Sequence, residues 1–311
     1  VDERIDLSIV LPVYREDELL GECLQRIHKA MEPLGKTFEC VIVDDGSPLP
    51  TWEMIVRLSG QFPRVRALRL SRNFGKEAAL AAGLEEARGT LVLVMDADLQ
   101  HPPELIHRFL EVQAETGANV VEGVKLSTEG MSGFRQRCNR IFYRTLEAIS
   151  GLNLHNHSDF KLIDRVVRDA WLKLGERALF FRGMVAWLGF HHEPIVFHVP
   201  AIPGRDSRWN LTALIRLALG GLTAFSSAPL HLTTLTGVLF FLMSVVLGLQ
   251  TLYNWASGRA ATGFSTVILL QLVIGSLTLI ALGLIGHYLS HIYDEVKGRP
   301  RYLIRDRLEP G

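Results

Sequence analysis

"LVLVMDADLQHPPEL", residues 91–105, ends an apolar run in two carboxylates. Leu91 to Met95 reads as a buried strand; Asp96 and Asp98 come next, with Gln100 and His101 close behind. In an extended chain residues i and i+2 point to the same side, so the two carboxylates share a face. Like charges repel there, and each resists desolvation. A cation between them removes both penalties. Taken alone, the stretch also fits a solvated strand end leading into the next helix. His101, placed before Pro102-Pro103, reads as a turn residue.

The neighbouring sequence repeats the pattern. "LSIVLPVY" (7–14), "FECVIVDDGS" (38–47), "VRALRLS" (65–71) and "TLVLVMDAD" (90–98) predict four strands, and "ANVVEGV" (118–124) a fifth. Between them, "DELLGECLQRIHKAME" (17–32), "TWEMIVRLSGQF" (51–62), "GKEAALAAGLEEAR" (75–88) and "PPELIHRFLEVQAE" (102–115) predict helices. Apolar strands alternating with helices imply an α/β fold with a mainly parallel sheet covered on both faces. Such sheets bind ligands beyond the C-terminal strand ends. Polar punctuation falls there: Tyr14 to Glu16, Asp44 to Ser47, Arg72 to Lys76 and Asp96 to Gln100. No GxGxxG follows the first strand and no GxxxxGK[ST] occurs, so neither a dinucleotide fingerprint nor a P-loop is supported.

The 311 residues carry 33 basic and 33 acidic side chains, so no charge excess points to nucleic acid. The mean hydropathy of +0.19 is high for a purely soluble chain. The excess lies near the C-terminus: Leu232 to Gly258 and Ala260 to Gly286 hold no charged residue. Each run exceeds the roughly 20 residues that cross a bilayer core; a pair of buried helices in a soluble domain is the other reading. Tyr253 and Trp255 suit an aromatic belt. Arg205, Arg208 and Arg216 precede the runs, Lys297, Arg299, Arg301, Arg305 and Arg307 follow them, and the link carries Arg259 alone. The positive-inside rule then places both ends in the cytoplasm and the link outside. With no ionisable group well within either run, they read as an anchor rather than a transport path. "LTALIRLALGGLTAFSSAPL" (211–230) is too short and interrupted to span and suits a helix lying on the bilayer. Cys23, Cys40 and Cys138 form neither a disulfide framework nor a CxxC site, and read as reduced. The apolar stretch near the start, Ile9 to Val13, is too short for a signal peptide. The division expected is an α/β domain over 1–205, an interfacial region over 206–230, two membrane helices over 231–290 and a basic cytoplasmic tail over 291–311.

"SIVLPVYRED" (8–17), "VIVDDGS" (41–47), "RNFGKEAAL" (72–80) and "DADLQHPPE" (96–104), in that order, resemble glycosyltransferase family 2 with its GT-A fold. "SDFKLIDR" (158–165), "FFRG" (180–183), the two apolar runs and "HIYDEVKGRPRY" (291–302) narrow the resemblance. Together they are similar to the polyprenyl-phosphate glycosyltransferases, the group of bactoprenol glucosyltransferases and dolichyl-phosphate mannose synthases. The resemblance covers nearly the whole chain.

It implies a nucleotide-diphosphate sugar donor, a polyprenyl-phosphate acceptor and Mg²⁺ or Mn²⁺ as cofactor. Asp96, Asp98 and Gln100 are then the metal ligands, hard oxygen donors that leave room for substrate phosphates. Pro12, Val13, Tyr14, Glu16, Asp45, Lys76, Asp96 and Ala97 bind the donor, with Asp45 on the base and Asp44 ordering the turn into Gly46 and Ser47. Glu16 also reads as an ordinary helix-start carboxylate; Lys76 stands at a helix N-terminus, which favours anions, or else is a solvated lysine. Asp98 and Asp159 stand at the chemistry, Asp159 orienting the sugar. Lys125, Arg135 and Asn139 match acceptor-phosphate positions, although relatives often have Arg and Ser where Lys125 and Asn139 stand. "GRDSRWN" (204–210) departs in having Arg205 where Gly is expected; Arg205, Ser207 and Arg208 remain acceptor candidates, or else membrane-surface charge. His155, His157, His191 and His192 lack the spacing of HExxH and read as loop or surface residues.

A phosphate monoester with a second pKa of about 6 is already largely dianionic at neutral pH, so its attack on an anomeric carbon needs no dedicated base. A single inverting displacement follows. The resemblance further implies a homo-oligomer, a tetramer in relatives, at the plasma membrane, with undecaprenyl phosphate the acceptor expected. Two other readings are a processive polysaccharide synthase, whose QxxRW motif "DSRW" does not complete, and a non-catalytic nucleotide-sugar-binding membrane protein.

Overall fold

The computed structural model describes residues 5–15, 19–125, 157–174, 180–198, 228–258 and 264–309. They form two compact units: residues 5–125 as described, with 157–174, 180–198 and 300–309, make one, and 228–258 with 264–299 make the other.

The first unit is an α/β sandwich. Its strands are β1 (Leu7–Val13), β2 (Phe38–Asp44), β3 (Val65–Leu70), β4 (Leu91–Val94), β5 (Val120–Lys125), β6 (His157–Asp164), β7 (His192–Phe197) and β8 (Ile304–Leu308). Its helices are α1 (Leu20–Met31), α2 (Leu49–Gln61), α3 (Lys76–Glu86), α4 (Ile106–Thr116), α5 (Arg165–Lys173) and α6 (Phe181–Trp187). The sheet order is β7-β5-β6-β4-β1-β2-β3-β8. Strands β3, β2, β1 and β4 run parallel, as the alternation of apolar strands and helices predicts. The rest is mixed: β6 inserts antiparallel between β4 and β5, and β8 pairs antiparallel with β3. Leu7, Ile9, Leu11, Ile42, Leu93 and Phe109 are fully buried in its core.

Helix α3 brings one strand-end cluster into place. Its buried face is nearly all small, Ala78, Ala79, Ala81, Ala82 and Gly83. A Cβ on Gly83 would come within 2.3 Å of Val10 Cγ1, so glycine lets the helix lie directly on β1. Its N-terminus, Lys76, then meets the C-terminal ends of the parallel strands.

At the opposite end, polar residues inside strands are paired. Glu39 accepts from Ser8 Oγ at 2.6 Å and lies 3.2 Å from Arg66, which also meets Glu86 and Glu309. Glu309 stands just past β8. The stretch 291–311, expected as a basic tail, therefore includes a strand of the sheet, and the basic Arg307 pairs with Glu86. Alternating side chains explain why it escaped the apolar pattern: β8 is an edge strand, buried on neither face throughout. Cys23 and Cys40 are buried free thiols, and burial pushes Cys23 up to about 12.

The described part of the second unit is two helices, α7 (Ala228–Ala256) and α8 (Phe264–Val296). Thr233–Asn254 and Val273–Val296 are long and apolar enough to cross a membrane, with mean hydropathies of 2.0 and 1.7. Their apolar side chains, Phe241, Leu249, Leu279 and Ile280 among them, are exposed. The interfacial stretch expected over 206–230 falls outside the described residues except for Ala228 to Leu230, which begin α7.

Candidate active site

Four strand ends converge on one pocket of about 320 Å³, lined by Pro12, Val13, Tyr14, Asp45, Lys76, Asp96, Ala97 and Asp98 with Asn73, Gly75 and Ala79. The parallel register makes this inevitable. Val13 lies level with Asp44, Asp45 N–H donates to Val13 O at 2.9 Å, and Met95 N–H donates to Val10 O at 3.2 Å. The loops after β1, β2 and β4 therefore leave the sheet side by side.

Asp44 and Asp45 divide the work of the second strand end. Asp44 Oδ1 accepts from Ser47 N–H at 3.0 Å, and Ser47 Oγ in turn accepts from Arg15 N–H at 3.0 Å, so Asp44 orders the turn. Gly46 has φ +65°, and a Cβ there would stand 2.2 Å from the Arg72 carbonyl carbon, so the turn also needs its glycine. Asp45 accepts from Phe74 N–H at 2.7 Å and Gly75 N–H at 2.9 Å. It thereby fastens the loop before α3 to the floor of the pocket. Burial raises its acidity constant's pKa despite these two donors.

Asp96 and Asp98 both reach the pocket, and Asp98 Oδ1 accepts from Gln100 N–H at 3.1 Å. Leu99 between them has φ 62° and Arg15 after β1 has φ 57°, the two non-glycine residues with positive φ among the described residues. Both flank this pocket, where backbone strain commonly accompanies a binding function. His101, expected only as a turn residue, does more. Its buried ring stacks on Phe160 at 4.8 Å, and its Nδ1 accepts from Asp96 N–H at 2.9 Å. The neutral ring then carries its hydrogen on Nε2, and the backbone of Asp96 is held from below.

Opposite charges alternate across the pocket's edge. Lys76 Nζ lies 2.6 Å from Asp96 Oδ1 and 2.9 Å from Asp159 Oδ2, and Arg182 Nη2 lies 3.1 Å from Asp159 Oδ1. Burial works against the charges on Lys76, Asp96 and Asp159, yet the neighbours prevail. Arg182 and Lys76 hold Asp159 well below the carboxylate range, Lys76 holds Asp96 down, and the two aspartates hold Lys76 above its ordinary value. Glu77 beside Lys76 is pushed up to about 7 by burial, with Phe181 N–H donating to it at 2.8 Å and Asp159 nearby. Lys161, fully buried on the same strand as Asp159, pairs with Glu122 of β5. His191 and His192 lie beside Glu193 and Glu122 respectively.

Does this site fit a divalent cation? Its donors are two aspartate side chains at one strand end, and a positive group, Lys76 Nζ, already approaches one of them. Among the described residues no three acidic, histidine or cysteine side chains form a cage. Two carboxylates are what Mg²⁺ takes when substrate phosphates complete its shell, so the residues fit.

Of the expected residues, seven donor-binding positions and Asp98 share the pocket, and Asp159 joins through Lys76. Lys125 ends β5. Glu16, Arg135, Asn139, Arg205, Ser207 and Arg208 lie outside the described residues, as does His155. Asn73 and Gly75 belong to the Arg72 to Lys76 stretch expected at the crevice, whereas Ala79, Glu77 and Arg182 were not expected in the site; all stand in "RNFGKEAAL" and "FFRG", the stretches that carried the resemblance.

Residues 8–172 match the family model described as glycosyl transferase family 2. An uncharacterised glycosyltransferase of Synechocystis is 36% identical over 305 residues, covering 97% of this chain and 95% of the relative. The bactoprenol glucosyl transferase of Shigella phage SfX is 32% identical over 303 residues, covering 97% of this chain and 99% of the relative. Among solved structures, a mannosyltransferase of Pyrobaculum calidifontis in complex with GDP-Man and Mn²⁺ is a more distant likeness, 17% identical with a TM-score of 0.47, covering 90% of this chain and 88% of that one. The chain belongs to glycosyl transferase family 2. It is a glycosyltransferase of GT-A fold, followed by two apolar C-terminal helices, and its resemblance to the bactoprenol glucosyl transferases runs over nearly its full length.

Proposed function

We propose that this glycosyltransferase moves one sugar from a nucleotide-diphosphate sugar, UDP-glucose-like or GDP-mannose-like, to the phosphate of a polyprenyl lipid, undecaprenyl phosphate foremost. The product would serve cell-envelope glycan or protein glycosylation. The observation that carries the reading is that Asp96 and Asp98 line one pocket with Pro12, Val13, Tyr14, Asp45 and Lys76. The names of the bactoprenol relatives support the lipid acceptor.

Pro12, Val13 and Tyr14 give the base an apolar wall, and Asp45 lies at the pocket floor as its hydrogen-bonding partner. Lys76, at the N-terminus of α3, presents an ammonium where backbone N–H groups already favour an anion, and so takes the diphosphate. Mg²⁺ or Mn²⁺ held by Asp96, Asp98 and Gln100 would neutralise the diphosphate and stabilise the charge growing on it as it leaves. Asp159, pinned by Arg182, orients the sugar. Lys125, Arg135 and Asn139, with Arg205, Ser207 and Arg208, are the acceptor-phosphate residues of this reading. The lipid phosphate, with a second pKa of about 6, attacks as a dianion; the residues position it in line, and the anomeric configuration inverts. The two apolar helices anchor the chain in the plasma membrane with both ends cytoplasmic, residues 206–230 lie at the interface, and the assembly is a homo-oligomer, a tetramer by the resemblance.

The test is detergent-purified protein with Mn²⁺, undecaprenyl phosphate and a panel of nucleotide sugars. Lipid-dependent release of a nucleoside diphosphate from one donor is expected. Nucleotide binding with no turnover across the panel would overturn the reading.

A further inference from the structure

The cation the carboxylates call for is partly supplied by the chain. Lys76 Nζ bridges Asp96 and Asp159 at 2.6 and 2.9 Å. The two partners are not equivalent. Asp159 is held in place from its far side: its Oδ1 accepts from Arg182 Nε at 3.2 Å with Nη2 at 3.1 Å, which leaves Oδ2 for Lys76. Asp96 is gripped through its backbone by His101 and offers its carboxylate to the pocket. Lys76 keeps 41% of its side chain exposed, so its head can move without disturbing the core, whereas Asp159 keeps 13%.

We propose that Lys76 is a resident cation that competes with the divalent metal for Asp96, and that Asp159 with Arg182 is the pivot on which it swings aside as the metal-diphosphate arrives. The proposal rests on the metal-assisted reading above and deepens it. An ammonium in contact with an Asp96 oxygen and a divalent ion on the same carboxylate repel strongly at such separation. Both cannot hold Asp96 fully. Without ligand, Lys76 suppresses the repulsion between Asp96 and Asp159 and keeps the strand end ordered. When metal and diphosphate enter together, the diphosphate offers Lys76 new oxygens while Asp159 retains it. The exchange makes metal binding weak in the absence of nucleotide and cooperative with it, since each ligand lowers the cost of the other's binding.

The test titrates Mn²⁺ into the detergent-purified full chain without nucleotide, reading free Mn²⁺ by electron paramagnetic resonance, for the wild type, Lys76→Met and Lys76→Arg. Lys76→Met should bind Mn²⁺ about tenfold tighter, a coupling of ordinary size, and Lys76→Arg, which keeps the charge, should stay near wild type. Equal or weaker binding by Lys76→Met would overturn the proposal, because a lysine that merely holds Asp96 in shape helps the metal. Should Lys76→Met lose the wild-type melting transition, the wild type itself decides. Mn²⁺ should then speed acylation of Lys76 by an N-hydroxysuccinimide ester, read by peptide mass spectrometry, and an unchanged rate overturns the proposal. Failure of Lys76→Met to tighten binding, in a preparation whose wild type transfers sugar only with metal, sinks the proposal alone. A wild type that binds no Mn²⁺ even with a nucleoside diphosphate sinks the metal-assisted reading as well.

Discussion

In the proposed function Asp98 is the residue on which the chemistry leans most, and that role can be tested apart from the fold. It is partly exposed at a strand end. Asp98→Asn should lower transfer by about 100-fold or more, in the range seen when an electrostatic contact to developing charge is removed, with an unchanged circular dichroism spectrum. Activity within a few fold of wild type would remove Asp98 from the site. Asp45 behaves differently, because it supports the pocket as well as lining it. Asp45→Ala strips the acceptor from Phe74 and Gly75 N–H, and should cost about 1–3 kcal/mol of stability together with a raised KM for the donor. A thermal melt and a donor titration on the same preparation check both. Asp45, Asp96 and Asp98 were legible because charged residues ending apolar strands are conspicuous. His101 and Arg182 were not: a histidine before two prolines looks like a turn, and Arg182 reaches the site through Asp159, 23 residues away in sequence.

At the level of elements, the parallel core and its helices follow from apolar runs of strand length alternating with amphipathic stretches. The later strands do not. β6 carries Asp159 and Lys161 in alternation with apolar residues, and its partners β4 and β5 are chosen by long-range pairing that no local pattern states. β8 returns to β3 after two long helices and brings Glu309 to Arg66. Arg66 is the centre of that cluster, buried beside Glu39, so Arg66→Ala leaves a buried carboxylate uncompensated and should destabilise by about 3–5 kcal/mol, read as a lowered melting midpoint. The junction of α3 with α6 sets a pH dependence. Glu77, near Asp159, Lys76 and Arg182, has its pKa raised to about 7 in the fold. A carboxyl raised on folding contributes stability that is present below its unfolded pKa and lost as pH rises through the folded value. Melting midpoints should therefore fall between about pH 5 and pH 8, and Glu77→Gln should flatten that fall. A Glu77→Gln profile parallel to wild type would show that Glu77 stays ionised throughout.

Across the whole molecule, an α/β unit that ends its parallel strands in carboxylates shares a chain with two helices long and apolar enough to cross a membrane. In the proposed function, a pocket for a nucleotide diphosphate and two helices long and apolar enough to cross a membrane are reconciled by an acceptor that is itself a lipid with a charged head. That head is decisive for the proposed reaction: the phosphate would supply the nucleophile, so the site would need no base to activate a hydroxyl. The direct test offers detergent-purified enzyme, with its preferred nucleotide sugar and Mn²⁺, two acceptors differing only at the head, undecaprenyl phosphate and undecaprenol, and reads the lipid mass. The phosphate is expected to gain one sugar while the alcohol stays unmodified. Glycosylation of the alcohol at a comparable rate would contradict it.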